Sequence, residues 1–261
     1  MLHRDRQRAS SFGAQAQRYD RTRPGYPSAL IEYLAPAPAP GSAPLEVLDV
    51  GCGTGIAARL LAERGCRVTG VEPDRRMAEV ARSHGLELEL VTFEKWDPGG
   101  RRFDLVTSAQ AWHWVDPVAG ALKAAEVLRP AGRVGLFWND GQPPADLQTL
   151  LDEVYRRLGA GSHLHSVLLG GKDPGVGRDQ LAIEGLLESG HFGQPVIEPF
   201  AWEEHYTTEQ WCDQLPTHSD HQTMPAQARA DLIAAVAGAI DEFGGGFTMS
   251  YETKLIVARR L

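Results

Sequence analysis

Three glycines and a carboxylate in the first third of the chain have the types and spacing needed to bind a nucleoside-containing cofactor. A predicted strand over residues 45–50 leads into Gly51-Cys52-Gly53-Thr54-Gly55, here called the glycine turn, and a helix is predicted to follow. Without a Cβ, these glycines can take positive φ and let a ligand approach the backbone closely. Glu72 ends the next predicted strand, where a carboxylate can accept hydrogen bonds from both ribose hydroxyls of an adenosine.

The details of the glycine turn distinguish between two classes of cofactor. A dinucleotide fingerprint has the spacing G-x-G-x-x-G, whereas Ile56 stands where its third glycine belongs. Asp49 lies just before the turn, and its negative charge opposes a pyrophosphate but suits a cationic amino-acid group. The resulting pattern, D-x-G-x-G-x-G, resembles the first motif of the class I S-adenosylmethionine-dependent methyltransferases. A nicotinamide site and an α/β turn without a ligand are the alternatives that the motif leaves open.

The resemblance continues along the chain and implies a fold. Segments at 88–91, 103–110 and 133–138 resemble the third, fourth and fifth strands of the same family. The implied fold class is α/β, with a doubly wound, Rossmann-like sheet of seven strands, an antiparallel last strand and a helical insertion before it. The implied cofactor is S-adenosylmethionine, and its product is S-adenosylhomocysteine. The residues expected to bind this cofactor are Tyr19, Tyr26, Asp49, Gly51, Cys52, Gly53, Thr54, Gly55, Glu72, Pro73, Phe93, Glu94, Ala109 and Gln110.

Composition and periodicity divide the chain into four regions. Residues 1–44 are predicted to form an N-terminal helical cap followed by a proline-rich linker. Residues 45–142 alternate strand and helix, which predicts a cofactor-binding core with parallel strands. Residues 143–244 are predicted to form a helical insertion that covers the substrate and contains one core strand near 195–206. Residues 245–261 are predicted to form the final antiparallel strand.

Length and composition favour a cytoplasmic enzyme. A chain of 261 residues with 43% hydrophobic residues is long enough to bury the core of one doubly wound domain. The charged N-terminus has no apolar segment behind it, and no run of about 18 apolar residues predicts a membrane span. The cysteines Cys52, Cys66 and Cys212 are few, odd in number and without metal-ligand spacing. Reduced thiols and no metal site are therefore expected.

The formal net charge of -8 argues against a nucleic-acid partner. Binding to phosphates depends on Lys and Arg, and the chain has 34 acidic against 26 basic residues. The expected partner is a small molecule, bound by a monomer or a homodimer that does not contact a membrane. A tRNA substrate stays open as an alternative because basic residues cluster near the N-terminus. These residues are Arg4, Arg6, Arg8, Arg18, Arg21 and Arg23.

Two histidines are the candidate catalytic residues. Methyl transfer from a sulfonium needs alignment and exclusion of water, and a general base helps only where the acceptor atom carries a proton. His113 follows the predicted fourth strand and is a candidate base, or alternatively orients the cofactor or backbone through a hydrogen bond. His218 lies in an H-x-x-H segment with Asp220 and His221. It is interpreted as a base or donor on the lid, or as part of a structural turn, because the spacing is not that of a zinc helix.

Aromatic residues at the strand ends are candidates for contact with the acceptor. Trp112 and Trp114 follow the predicted fourth strand, and Trp138 with Asn139 ends the fifth. Indole rings can wall a pocket for an apolar or aromatic molecule, whereas large aromatics more often fill a core. One or two of the three tryptophans are therefore expected at the site. His221 completes the set predicted to bind the acceptor.

These features predict an S-adenosylmethionine-dependent methyltransferase that acts on an O, N or C atom of a small molecule, by in-line displacement in a lidded pocket. The resemblance is greatest to methyltransferases of ubiquinone and menaquinone biosynthesis and their relatives in secondary metabolism. Two alternatives stay open. One is a tRNA or protein methyltransferase, and the other is a ligand-binding protein that keeps the fold without transferring a methyl group.

Overall fold

The described part of the chain is built around one seven-stranded sheet. The computed structural model describes residues 12–37, 39, 41–159 and 177–261. The strands are β1 (Glu46–Val50), β2 (Arg67–Val71), β3 (Glu87–Glu89), β4 (Phe103–Ala109), β5 (Leu128–Gln142), β6 (Val196–Thr207) and β7 (Gly246–Arg259). Their order is β3-β2-β1-β4-β5-β7-β6. Strands β1 to β5 are parallel to one another, and β7 runs antiparallel to both of its neighbours, β5 and β6.

The order of the strands opens a crevice at one edge of the sheet. From β1 the chain adds β2 and β3 on one side, and then returns to place β4 on the other side. The connections after β1 and β4 therefore leave in opposite directions, and a crevice forms beyond the carboxyl ends of these two strands. The glycine turn follows β1 at this switch point, and the loop 110–115 follows β4.

The central strands are apolar because both faces of the sheet are covered. Val47, Leu48 and Val50 of β1 are buried, as are Leu105 and Val106 of β4. Because helices cover both faces of a parallel sheet, its strands are made of continuous runs of branched apolar side chains. Polar and apolar residues do not alternate along them. The rigid centre of the sheet holds the strand ends at the crevice in fixed positions.

Helices surround the sheet, and two near the crevice begin at aspartates. They are α1 (Ala16–Thr22), α2 (Ser28–Leu34), α3 (Ile56–Glu63), α4 (Arg75–Ser83), α5 (Pro117–Val127), α6 (Ala145–Arg157), α7 (Arg178–Glu188), α8 (Thr208–Gln214), α9 (Ser219–Gln222) and α10 (Ala226–Phe243). The Asp74 side chain accepts the backbone N–H of Arg76 at 2.9 Å, and Asp116 accepts that of Ala119 at 2.9 Å. These bonds satisfy N–H groups that a helix start leaves unpaired. Within the described ranges, none of the helices is both long and apolar enough to cross a bilayer.

The helices of the predicted insertion form a second hydrophobic core beside the crevice. Tyr155 of α6, Trp211 of α8 and Val236 of α10 are buried in one cluster with Tyr251 of β7. Strand β5 extends past the end of β4 and pairs there with β7, from Asn139 opposite Thr253 to Gln142 opposite Ser250. This extension carries the second core at the carboxyl edge of the sheet. Residues 160–176 of the predicted insertion lie outside the described residues.

The predicted fold class is confirmed, but the start of β5 differs from the prediction. The sequence predicts a turn at 129–132, whereas β5 already begins at Leu128. Its pairing with β4 shifts between Phe103 and Leu105, and Ala131 takes a left-handed φ of +62°. The residues expected to form a turn are therefore part of a continuous strand, in which they form an irregular segment.

Replacing Ala131 with glycine is expected to stabilise the protein. The side chain of Ala131 is exposed, so its loss removes little packing, while glycine relieves the left-handed strain. The free energy of unfolding in urea should rise by about 0.5–1 kcal/mol. The matched control is Ala230→Gly, at an exposed position inside α10, which should lower it by about 1 kcal/mol. Equal losses in both variants would contradict the interpretation of Ala131.

Candidate active site

The backbone of the glycine turn excludes side chains. Gly51, Gly53 and Gly55 have φ values of +66°, +58° and +88°, in a region that L-residues rarely adopt. A Cβ on Gly51 would lie 2.6 Å from the Cβ of Ala111, and one on Gly55 would clash with the side chain of Leu86. Glycine at these positions therefore keeps the turn open toward the crevice and lets α3 pack closely on the sheet.

The crevice beyond the carboxyl ends of β1, β2 and β4 contains a cavity. Most of the residues predicted to bind a cofactor line it, and Trp114, predicted to contact the acceptor, lines it as well. The predicted cofactor residues in the lining are Tyr19, Gly51, Gly53, Glu72, Pro73, Phe93, Glu94, Ala109 and Gln110. Strand ends that are far apart in sequence thus meet in one concave site, as ligand sites in open α/β sheets do.

The other predicted cofactor residues lie around this cavity without lining it. Cys52 and Thr54 are buried within the glycine turn, and Gly55 begins α3. Tyr26 packs edge-on against Phe137 of β5, with 4.9 Å between the ring centroids. Asp49 of β1 is buried as well and does not line the cavity either.

Glu72 is held at the cavity wall by the backbone on either side of it. Its Oε2 accepts the N–H of Gly53 at 2.9 Å, and its Oε1 accepts the N–H of Asp74 at 2.8 Å. Burial raises the pKa of Glu72 to about 7, although these two bonds lower it. The two bonds fix the carboxylate in position, and each oxygen has a second lone pair with which it can accept a further hydrogen bond from a ligand.

Asp49 is a buried carboxyl group with one oxygen left unbonded. Its Oδ1 accepts the hydroxyl of Thr107 at 3.0 Å, while its Oδ2 has no hydrogen-bond partner among the described residues. Burial raises the pKa of Asp49 to about 7, the Thr107 bond lowers it, and the charge of Glu72 raises it further. A cation beside the cavity would stabilise the ionised forms of both carboxyl groups.

His113 is oriented by a hydrogen bond from the sheet. It lies in the short 3₁₀ turn Trp112–Trp114, and its Nδ1 accepts the indole N–H of Trp138 at 3.1 Å. The neutral imidazole must then carry its proton on Nε2, which makes that nitrogen a donor. This contact favours the orienting role of His113 over the role of general base.

The tryptophans and Asn139 have different environments. Trp112 and Trp138 are buried in the core, whereas Trp114 lines the cavity. Asn139 donates from Nδ2 to the carbonyl oxygen of Gly25 at 3.0 Å, and its Oδ1 accepts the hydroxyl of Thr253 at 2.7 Å. Asn139 therefore ties the N-terminal segment to the extended end of β5.

His218 and His221 lie within the insertion, and neither lines the cavity. Both are buried, and their ring centroids are 5.9 Å apart. The Nε2 of His221 is 3.0 Å from the hydroxyl of Tyr155, while the Nε2 of His218 has no partner in the part of the chain that the structure describes. Among those same residues, no group of three His, Cys, Asp or Glu side chains is placed to hold a metal ion.

Comparison with known proteins decides the family. A family model described as a methyltransferase domain matches residues 19–137. An uncharacterised methyltransferase of Mycobacterium tuberculosis is 34% identical over 236 residues, which cover 87% of this chain and 84% of the relative. The chain belongs to the methyltransferase family. A ubiquinone biosynthesis O-methyltransferase of Alkalilimnicola ehrlichii is also 34% identical, over 127 residues that cover 45% of this chain and 51% of that protein.

Solved structures share the fold of the methyltransferase. A protein from Anaeromyxobacter dehalogenans, provisionally designated a type II methyltransferase, matches with a TM-score of 0.63 and 22% identity, covering 91% of this chain and 97% of that one. Phosphoethanolamine N-methyltransferase 2 of Haemonchus contortus, in complex with phosphomonomethylethanolamine and S-adenosylhomocysteine, matches with a TM-score of 0.54 and 15% identity, covering 98% and 59%. The predicted class I S-adenosylmethionine-dependent methyltransferase, with its Rossmann-like sheet, is confirmed.

Several residues that line the cavity of the methyltransferase were missed from the sequence. Val50 and Val71 are the last residues of β1 and β2, and Asp74, Thr92, Ala111 and Val115 follow strand ends. The rule that ligands bind beyond the carboxyl ends of parallel strands could have found all six. Met77 is different, because it reaches the cavity from the first turn of α4, and no sequence signal identifies it.

Replacing Asp49 with asparagine is expected to stabilise the ligand-free methyltransferase at high pH. The raised pKa means that the folded protein holds a proton that the unfolded chain has already lost, so wild-type stability falls as pH rises from about 4 to 7. Asp49→Asn removes this loss, and its free energy of unfolding at pH 8 should exceed that of wild type by at least about 1 kcal/mol.

The advantage of Asp49→Asn should shrink as the pH falls toward 4, which urea titrations at several pH values will measure. The control is Asp231→Asn, at an exposed position on α10, which should not change the pH dependence. An Asp49→Asn advantage that is independent of pH would refute the assignment of a raised pKa.

Proposed function

We propose that the protein transfers the methyl group of S-adenosylmethionine to an oxygen, nitrogen or carbon atom of a small-molecule acceptor. The observation that carries the proposal is the cavity at the switch point of the sheet, in which the glycine turn and the carboxylate of Glu72 face the same space. Family membership supports methyl transfer in general. The similarity to ubiquinone biosynthesis O-methyltransferases supports a small acceptor, although it covers only about half of each chain.

The residues present fit this cofactor. The unbonded Oδ2 of Asp49 is a buried acceptor that lacks a counter-charge, as expected beside a cationic amino-acid group. Gly51 and Gly53 have no side chains to block a ligand at the turn. Glu72 would hold the ribose hydroxyls, Phe93 and Glu94 would border the adenine, and S-adenosylmethionine when bound supplies an electrophilic methyl group.

The protein's own part in the reaction is to orient the acceptor and exclude water. Tyr19 reaches the cavity from the N-terminal cap, and Trp114 reaches it from the loop after β4, so the cavity is covered from two sides. His113 accepts the indole N–H of Trp138 on Nδ1 and directly precedes Trp114, so its part is to hold the loop after β4 in position. Alignment and desolvation of this kind account for much of what a methyl-transferring site must do.

The described basic residues near the N-terminus do not favour the tRNA alternative. Arg18 and Arg21 both pair with Asp213, at 3.0 and 2.7 Å, so part of their charge is already neutralised. The side chain of Arg23 turns inward and donates to the carbonyl oxygen of Thr217. Arg4, Arg6 and Arg8 lie outside the described residues.

Glu72→Gln is expected to weaken the binding of S-adenosylhomocysteine by about 10- to 100-fold. Hydrogen bonds to a charged group contribute about 1.5–3 kcal/mol, and glutamine keeps the size of the side chain while losing the charge and one acceptor. Isothermal titration calorimetry measures the affinity. Glu79→Gln, on the exposed side of α4, is the matched control and should bind as wild type does. Wild-type affinity in Glu72→Gln would rule out the ribose role.

Product analysis distinguishes the proposed function from its alternatives. Purified protein is mixed with S-adenosylmethionine and incubated in three separate reactions. One contains a panel of small acceptors, one contains total tRNA and one contains cell protein. Mass spectrometry then locates the transferred methyl group. Transfer to a small molecule is the expected result. Salt-sensitive transfer to tRNA, transfer to protein, or tight cofactor binding without any transfer would each support one of the alternatives instead.

A further inference from the structure

Arg23 is a partly buried arginine that forms no ion pair with a carboxylate among the described residues. Its Nη2 donates to the carbonyl oxygen of Thr217 at 2.9 Å, but its Nε is buried and has no hydrogen-bond partner among the described residues. No ion pair is found between Arg23 and any described carboxylate, whereas its neighbours Arg18 and Arg21 share Asp213. Buried charges are ordinarily paired, because removing them from water is costly. The role of Arg23 is therefore not explained by the fold alone.

Aromatic hydroxyl groups surround this guanidinium. Its central carbon lies 5.0 Å from the ring centroid of Tyr19, in cation-π contact. Tyr26, Tyr206 and Tyr251 interact electrostatically with the same charge. The hydroxyls of Tyr206 and Tyr251 are 3.0 Å apart, and both side chains are buried. None of these groups neutralises the charge of Arg23, because a neutral phenol supplies only a dipole.

His218 adds a second unsatisfied polar atom next to Arg23. It directly follows Thr217, the residue that accepts the hydrogen bond from Arg23, and its side chain is only 6% exposed. Its Nε2 has no hydrogen-bond partner in the described ranges. The pKa of His218 is held well below its usual range, mainly by burial and to a smaller extent by the charges of Arg23 and His221. The imidazole is therefore neutral at pH 7. Arg23 is therefore the cation of this pair.

Arg23 is connected to the cofactor cavity through Tyr19, although neither Arg23 nor His218 lines that cavity. Tyr19 lines that cavity, and the guanidinium of Arg23 stacks on the same ring. Tyr26 is close enough to both Asp49 and Arg23 to interact electrostatically with each of them. A small molecule bound at Arg23 can therefore extend past Tyr19 toward the cavity.

We propose that Arg23 and His218 form the recognition site for a carboxylate on the methyl acceptor, which is a small organic acid with a single negative charge. The guanidinium of Arg23 and the imidazole of His218 supply the hydrogen-bond donors for the carboxylate oxygens. One guanidinium balances one carboxylate, whereas a phosphate dianion would leave an unpaired charge in a buried site. This inference rests on the proposed function, because it names the acceptor of the same site.

Matched acids and amides test the inference. Benzoate and acetate are titrated into protein saturated with S-adenosylhomocysteine, alongside benzamide, acetamide and phenyl phosphate, and the affinities are measured by calorimetry or ligand-observed NMR. Each acid should bind at least about 10-fold more tightly than its amide, and benzoate more tightly than phenyl phosphate. Arg23→Gln should abolish the difference between acid and amide, while Arg23→Lys should retain part of it because the positive charge is kept.

Controls separate this inference from the proposed function and from a purely structural role of Arg23. Arg21→Gln lies on the same segment and should keep the preference for acids. Unchanged affinity for S-adenosylhomocysteine in Arg23→Gln and Arg23→Lys shows that both variants are folded. The inference is overturned if the acids fail to bind at about 10 mM, if acids and amides bind equally, if phenyl phosphate binds better, or if Arg23→Gln keeps the preference. Failure of wild-type protein to bind S-adenosylhomocysteine would instead overturn the proposed function.

Discussion

The site depends on the burial of two carboxyl groups at the carboxyl ends of β1 and β2. Asp49 and Glu72 are removed from water at the switch point of the sheet, where backbone N–H groups and the hydroxyl of Thr107 only partly replace the lost solvation. Burial raises the pKa of each to about 7, which is a free-energy cost to the ligand-free fold near neutral pH. A bound cation and a pair of ribose hydroxyls would recover that cost. The ligand-free fold is thus less stable than it could be, but its site is organised before the ligand binds.

The N-terminal cap, which carries Tyr19 to the cavity, is bonded both to the insertion and to the sheet. Asp213 of α8 pairs with two arginines of the cap segment, and Arg23 donates to the carbonyl oxygen of Thr217. Asn139 bonds to Gly25 of the cap and to Thr253 of β7. These polar contacts hold the N-terminal cap against the insertion and against the extended end of β5.

The part of the site that is local in sequence was predictable, and the part that depends on distant pairs was not. The glycine turn and Glu72 occupy one strand-turn-helix-strand unit, whose spacing follows from the chemistry of nucleoside binding. The bond between His113 and Trp138 joins the turn after β4 to β5, and neither residue type predicts which imidazole nitrogen accepts the indole N–H. Arg23 and Thr217 are 194 positions apart in the sequence, so from the sequence alone Arg23 is interpreted as a surface charge. The irregular start of β5 reflects pairing with β4, which the turn-forming residues do not reveal.

The charges of the site are arranged with opposite signs at its two ends. Asp49 and Glu72 make the cofactor end negative, whereas Arg23 makes the region beyond Tyr19 positive. Under the proposed function, a cationic donor and an anionic acceptor would each be stabilised next to groups of the opposite charge, and each would be disfavoured at the other end. Bringing a sulfonium and an anion together in a dry cavity strengthens their attraction, since little water remains to screen it. Such an arrangement would orient the two molecules by charge, without requiring a catalytic base.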